Sequence, residues 1–144
     1  MAGPQFFTPQ KRTVPSQPVR KFTLEQANKS LPLVKRIVAD IVSTHERATR
    51  NQLRLEKAKG SDQQAAQREL NGSVDRLQDL VDELSDVGCE LKDYLTGLID
   101  FVGRHEGRDV YLCWKLGEEK VTHWHELESG VAGRKPVSQL RERA

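Results

Sequence analysis

Cysteine is nearly missing from this sequence. Only Cys89 and Cys113 occur, which fits free thiols in a reducing compartment better than a disulfide framework, so a core must hold the chain together. Long apolar runs are missing too. None approaches the roughly 20 residues that a membrane-spanning helix needs, and the Pro- and Gln-rich N-terminus lacks the apolar stretch of a secretory signal. Both absences lead us to expect a cytoplasmic protein with no membrane partner. Net charge is small, +2, and demands no polyanion. The basic residues near the N-terminus, Lys11, Arg12, Arg20 and Lys21, are few and scarcely interleaved with aromatics, so a nucleic-acid partner is not expected. The glycines at 97, 103, 107 and 117 fit neither GxxxxGK nor GxGxxG, which removes the usual phosphate loops. Aromatic residues make up only 6% of the chain, so each of them has to be accounted for.

What is present suits one soluble domain. A chain of 144 residues with 36% apolar and 31% charged side chains can bury a single core and carry much solvated helix. Residues 1–21, with four prolines among Gln, Ser and basic residues, read as a disordered arm. Residues 22–136 read as the domain, with a helical hairpin over 23–88 and a sheet over 89–128, and 137–144 as a tail. Thr23 to Gln26 has the form of a capping box, and Ser30, Leu31 and Pro32 look like a second helix start, because proline is tolerated in a first turn. From Leu31 a seam runs through Val34, Val38, Ile41, His45, Ala48, Gln52 and Leu55. Gly60 supplies a turn, Ser61 to Gln64 has capping-box form again, and a second seam follows through Ala66, Leu70, Ser73, Leu77, Leu80, Leu84, Val87 and Leu91. Two such helices joined by a short turn lie antiparallel. The interior Gly72 is the weak point of the second, at about 1 kcal/mol against Ala.

The hairpin already bears on function. His45 and Gln52 stand where a tight two-helix interface prefers leucine, and polar seam residues either set register and oligomer state or sit half exposed. Two helices alone bury little surface, so a homodimer through the hairpin, or a protein partner on it, is the expected association.

After Gly88, a helix-terminating residue by type, the pattern turns extended. Residues 89–93 suit a last helical turn or a short strand, 97–101 a strand, and 108–116 with 120–127 a β-hairpin around Gly117. The expected fold is α+β: a long antiparallel two-helix hairpin packed with a small antiparallel sheet of three or four strands. The segments FTLEQAN at 22–28, LPLV at 31–34, GLIDF at 97–101, VYLCW at 110–114 and WHE at 124–126, with Gly117, Glu118, Gly133 and Arg134, resemble the bacterial family known as domain of unknown function 2203. The resemblance spans nearly everything from Phe22 to Pro136. It implies a family without an established activity and carries no catalytic residues, cofactor or partner with it.

The last third concentrates the reactive side chains. His123 and His125, two apart on an expected strand, point to one face and can share an ion, although H-x-H by itself is a weak signal. With Asp100 they form a 2-His-1-carboxylate set suited to a divalent transition metal, and Glu118 or Glu126 would be the base of a hydrolase built on it. Cys113 joins the histidine face only if the hairpin loop has an odd number of residues. Two-residue loops are the commonest, which weighs against it. The alternative is that the histidines are packed beside Trp114 and hydrogen-bonded. A nucleophilic thiol needs a base within reach and positive surroundings, whereas Cys113 lies mid-strand between Leu112 and Trp114 and reads as a small buried hydrophobe. Trp114 and Trp124, with Tyr111 and Phe101 and the nearby cations Lys115, Lys120, Arg104 and Arg108, either hold a ligand or seal the sheet onto the helices. Arg134 is placed to pair with Asp100 or Glu126.

Two functional readings follow. The first is a non-catalytic binding or assembly module that associates through its hairpin, with Asp100, Trp114, Glu118, His123, Trp124, His125 and Arg134 around any ligand site. The second is a metalloprotein, hydrolytic or not, with His123, His125 and Asp100 as ligands.

Overall fold

Thr23 starts the first helix for a local reason. Its hydroxyl accepts from the Gln26 N–H at 3.1 Å while the Gln26 side chain accepts from the Thr23 N–H at 2.9 Å, so two of the orphan donors of the first turn are satisfied. In the computed structural model, which describes residues 20–142, this cap opens α1, Leu24–Lys57. No second start occurs at Ser30. Pro32 lies inside one continuous helix, on its exposed side, where a missing N–H costs one hydrogen bond and water can serve the Asn28 carbonyl instead. Ser30 turns its hydroxyl back to the Ala27 carbonyl at 2.7 Å.

The second helix, α2, spans Gly60–Val87 and begins one residue before the expected cap. Lys59 occupies the cap position without a side-chain bond. The tie across the hairpin is made by Arg54, which donates to Asp62 and Glu69 at 2.7 Å each. Gly72 does not interrupt α2, and a Cβ there would meet nothing within 4 Å. Replacing Gly72 with Ala is therefore expected to raise stability by about 0.5–1 kcal/mol. The gain should show as a higher denaturant midpoint at an unchanged slope, and a lower midpoint would mean that α2 is broken at this position. Gly88 ends the helix in the left-handed region, at φ 115°, its N–H bonded to the Leu84 carbonyl.

The buried stripe of α1 widens where a third layer covers it. Val34, Ile41 and Ala48 face α2 along the whole hairpin, flanked by Ile37, Thr44 and Asn51, all buried. On the other flank Val38 meets the sheet, its Cγ1 2.8 Å from where a Cβ on Gly97 would stand. His45 continues that flank and ends it, its ring stacked on Tyr94 at 4.9 Å. Gln52 and Leu55, expected in the seam, are only half buried because the sheet does not reach them. In the distal seam small and polar residues replace large apolar ones, and the Asn51 amide donates to the Ser73 hydroxyl at 3.2 Å.

Among the described residues the sheet has five strands, all antiparallel and in sequence order: β1 Cys89–Asp93, β2 Leu98–His105, β3 Arg108–Lys115, β4 His123–Glu126 and β5 Lys135–Pro136. One more strand is present than the sequence reading allowed. The addition is β5, two residues long, too short for any period to reveal. The face of the sheet toward the helices carries Ile99, Phe101, Val110, Leu112, Trp114 and Trp124, which join Val34, Val38, Ile41, Leu77, Leu80 and Leu84 in one core. Residues 137–142 are tied to the domain: the Leu24 N–H donates to Glu142 at 2.7 Å and the Arg141 N–H to His105 Nδ1 at 2.9 Å. Of the expected N-terminal arm only Arg20 and Lys21 lie within the described residues, and Lys21 bridges to Val102. Among the described residues no helix is long and apolar enough to cross a membrane.

Candidate functional site

The register of three strands decides which side chains meet. Residues directly opposed in an antiparallel pair share a face. Asp100 of β2 opposes Cys113 of β3, Cys113 opposes His123 of β4, and Tyr111 opposes His125. Since Ile99, Phe101, Leu112 and Trp114 face the helices, Asp100, Cys113, His123 and His125 all lie on the other side of the sheet. Cys113 is thus on the histidine face. The loop from Leu116 to Thr122 has an odd number of residues, because α1 pins it: Asn28 Oδ1 accepts from the Val121 N–H at 2.8 Å, Lys35 donates to the Glu119 carbonyl at 2.8 Å, and the Val121 side chain is buried.

Three of these side chains form a compact group. One potential donor atom from each of Asp100, Cys113 and His125 lies within 4.8 Å of the other two, and the residues are only 1–2% exposed. His125 Nε2 is 3.3 Å from Asp100 Oδ1 and its Nδ1 is 2.9 Å from the Glu126 carbonyl. The Tyr111 ring lies 5.4 Å from the imidazole, with the Lys92 ammonium 4.7 Å from the Tyr111 ring. Burial raises the Asp100 carboxyl above its usual range, against the pull of His125 and Lys92. Burial first, and the Asp100 charge second, push the Cys113 thiol up to about 11, against the guanidinium of Arg134 beside the sulfur. Cys89, in the core, is pushed up to about 12 by burial.

Such a group is a poor nucleophile and a good set of ligands. A catalytic thiol needs its histidine next to it and the carboxylate behind the histidine. Here the order is different, because Asp100 lies between the two, 3.3 Å from His125 and directly opposite Cys113 in the register, and the thiol is raised where catalysis needs it lowered. Sulfur, imidazole nitrogen and carboxylate oxygen converging in a buried space are, however, the donor types of transition-metal centres.

The remaining sequence candidates fall elsewhere. His123 opposes Cys113 but stays outside the group, its Nδ1 2.9 Å from the Thr122 hydroxyl. Trp114 and Trp124 are buried on the helix side, with their indole N–H groups donating to the Glu118 carbonyl at 3.0 Å and the Pro136 carbonyl at 3.1 Å. Glu118 uses its carboxylate to hold the Lys115 N–H at 2.8 Å. Glu126 takes both arms of Arg108, at 2.9 and 2.6 Å, so Arg134 pairs with neither expected carboxylate and attends Cys113 instead. Cys113 is the member that loop statistics weighed against. The sequence did hold a signal for it: if Trp114 and Trp124 both face the core, every odd-numbered residue of the two strands faces away.

The distal hairpin supplies a second feature. A groove of about 530 Å³ opens between the helices, lined by Gln52, Leu55, Leu70 and Val74 with Gln67, Asn71 and Asp75. It continues the face that the sheet covers nearer the helix ends, where Val42 and Val81 pack on the core.

The family described as "Uncharacterized conserved protein (DUF2203)" matches residues 20–137, and the chain belongs to it. No curated protein and no solved structure matches the chain.

Proposed function

We propose that this member of the DUF2203 family is an assembly module, which pairs through its helical hairpin with a second copy of itself. The observation that carries the reading is the distal groove. Proximally the hairpin has a third layer, the sheet; distally the same face ends in Gln52, Leu55, Leu70 and Val74 around an open groove, with Leu53 nearby 48% exposed. A two-helix layer buries one stripe on each helix, and a stable bundle needs a partner for the rest.

Charge selects the partner. Helix α1 carries seven basic and four acidic side chains, whereas α2 carries two basic and seven acidic. Two copies related by a two-fold axis can set α1 of one protomer over α2 of its partner, so that opposite fields meet twice in an isologous four-helix arrangement.

The test is the mass of the full chain in solution by light scattering or sedimentation, beside Val74→Glu. A dimer for the wild type, with a monomer of unchanged helix content for the variant, is the expected result. A wild-type monomer over the whole concentration range up to the high micromolar would overturn the reading, as would a dimer indifferent to the charge at position 74.

A further inference from the structure

The hydrogen-bond chemistry around His125 leaves a place for a positive charge. Nδ1 faces the Glu126 carbonyl at 2.9 Å. A carbonyl only accepts, so Nδ1 carries the proton and donates. In the neutral ring Nε2 then presents a lone pair, and 3.3 Å in front of it is Asp100 Oδ1, another acceptor. Two acceptors do not face each other at that distance in a buried site, with 2% exposure on both residues, unless a cation lies with them. The cation is either a proton or a metal ion. A histidine fixed by a Nδ1–H bond to a backbone carbonyl, with Nε2 turned toward other donors, is the arrangement metal-ligating histidines adopt.

We infer that Asp100, Cys113 and His125 bind one divalent transition-metal ion, of the zinc or cobalt type, between strands β2, β3 and β4. The third donor decides between the two cations. A proton shared by Asp100 and His125 needs no thiol, yet the Cys113 sulfur lies within the same 4.8 Å group, directly across from Asp100 in the register. Thiolate and imidazole select soft or borderline ions, and three protein donors leave a further position for water or an anion. Charges balance as well: a thiolate, a carboxylate and a neutral imidazole together neutralise a dication. Arg134, beside the sulfur, favours the thiolate that binding requires.

Binding forms metal–sulfur, metal–oxygen and metal–nitrogen bonds and displaces two protons to solvent, one from the Cys113 thiol and one from the Asp100–His125 pair. This ligand set differs from the one sequence spacing suggested, because Cys113 takes the place of His123. It is also independent of the hairpin, since the three residues lie on the opposite face of the sheet from the helices.

The experiment is a cobalt(II) titration of the full chain after chelator treatment, followed by absorption and by proton release in weak buffer. The expected result is uptake of one equivalent with a thiolate-to-cobalt charge-transfer band and release of about two protons. Cys113→Ser, close to isosteric, should lose the charge-transfer band and bind at least tenfold more weakly, in keeping with loss of a metal ligand. His123→Ala should retain both band and stoichiometry. Absence of cobalt uptake by the wild type overturns the inference, as does bound cobalt with no charge-transfer band, or a band that vanishes in His123→Ala and persists in Cys113→Ser. The wild-type titration alone is decisive if a substituted protein fails to fold.

Discussion

Truncating Trp114 to Ala is expected to cost about 3–5 kcal/mol of folding stability. The indole is 0% exposed, opposes Ile99 in the register and lies in the core formed with the two helices. Removing it leaves a large void in a close-packed layer and also loses the 3.0 Å bond to the Glu118 carbonyl, which holds the loop between β3 and β4. Typical domains have about 5–15 kcal/mol in total, so the variant should unfold at much lower urea concentration with a similar slope. The measurement separates two roles for this aromatic. A ligand-stacking tryptophan in an open site can be truncated at little cost to stability, and a loss below about 1 kcal/mol would restore that role to Trp114.

Gly97→Ala is expected to cost about 2–5 kcal/mol, from two additive sources. Gly97 lies in the turn between β1 and β2 at φ 70°, a left-handed conformation that costs an alanine about 1–2 kcal/mol. The added Cβ would also stand 2.8 Å from Val38 Cγ1 and 2.8 Å from Leu116 Cβ. Val38 is fully buried and has nowhere to move, so overpacking adds about 1–3 kcal/mol. This glycine lets the edge of the sheet touch α1 and bonds its neighbours through its own backbone, donating to the Asp93 carbonyl at 3.0 Å and accepting from the Leu116 N–H at 3.1 Å. Urea denaturation reads the loss directly. A cost under about 0.5 kcal/mol would mean that sheet and helix are not in contact there.

The parts of this structure that sequence made legible are those governed by local rules. The Thr23 cap, the period of the helices and the stop at Gly88 each depend on residues within a turn or two, and the antiparallel hairpin follows from the short connection at Ala58 and Lys59. What the sequence leaves open, or points the wrong way on, depends on distant partners. Pro32 looks like a helix start until one knows that its side of α1 faces water. His45, Gln52 and Leu55 fit the seam by spacing, but whether they are buried is decided by how far a sheet some forty residues downstream extends, and it ends at Tyr94. The Cys113 register turned on loop parity, which Asn28 and Lys35 set from the far end of the chain. The candidate site shares that character. Asp100, His125 and Arg134 are visible as chemistry in the sequence, yet only three-strand registration separates His125 from His123 and brings the thiol in. Trp114 and Trp124, with cations near them in sequence, suit recognition or a seal between sheet and helices, and the scarcity of other aromatics favours the seal; both lie in the core.

The bond from the Leu24 N–H to the Glu142 carboxylate brings the start of α1 and the last described residue together at one pole, about 50 Å along α1 from the hairpin turn. Two segments that meet in this way make residues 20–142 topologically close to a ring. Their covalent order can be rewritten by joining residue 142 to residue 20 through a short linker and opening the backbone between Ala58 and Lys59, and the same helices and strands remain neighbours. In such a permuted chain α2 would be made first and α1 last, so the two halves of the hairpin would find each other across the whole sequence and no longer across a turn. In the native order the helices are joined across a single turn, so their contacts are local in sequence, and only the contacts of the sheet with α1 have to span a long stretch of chain.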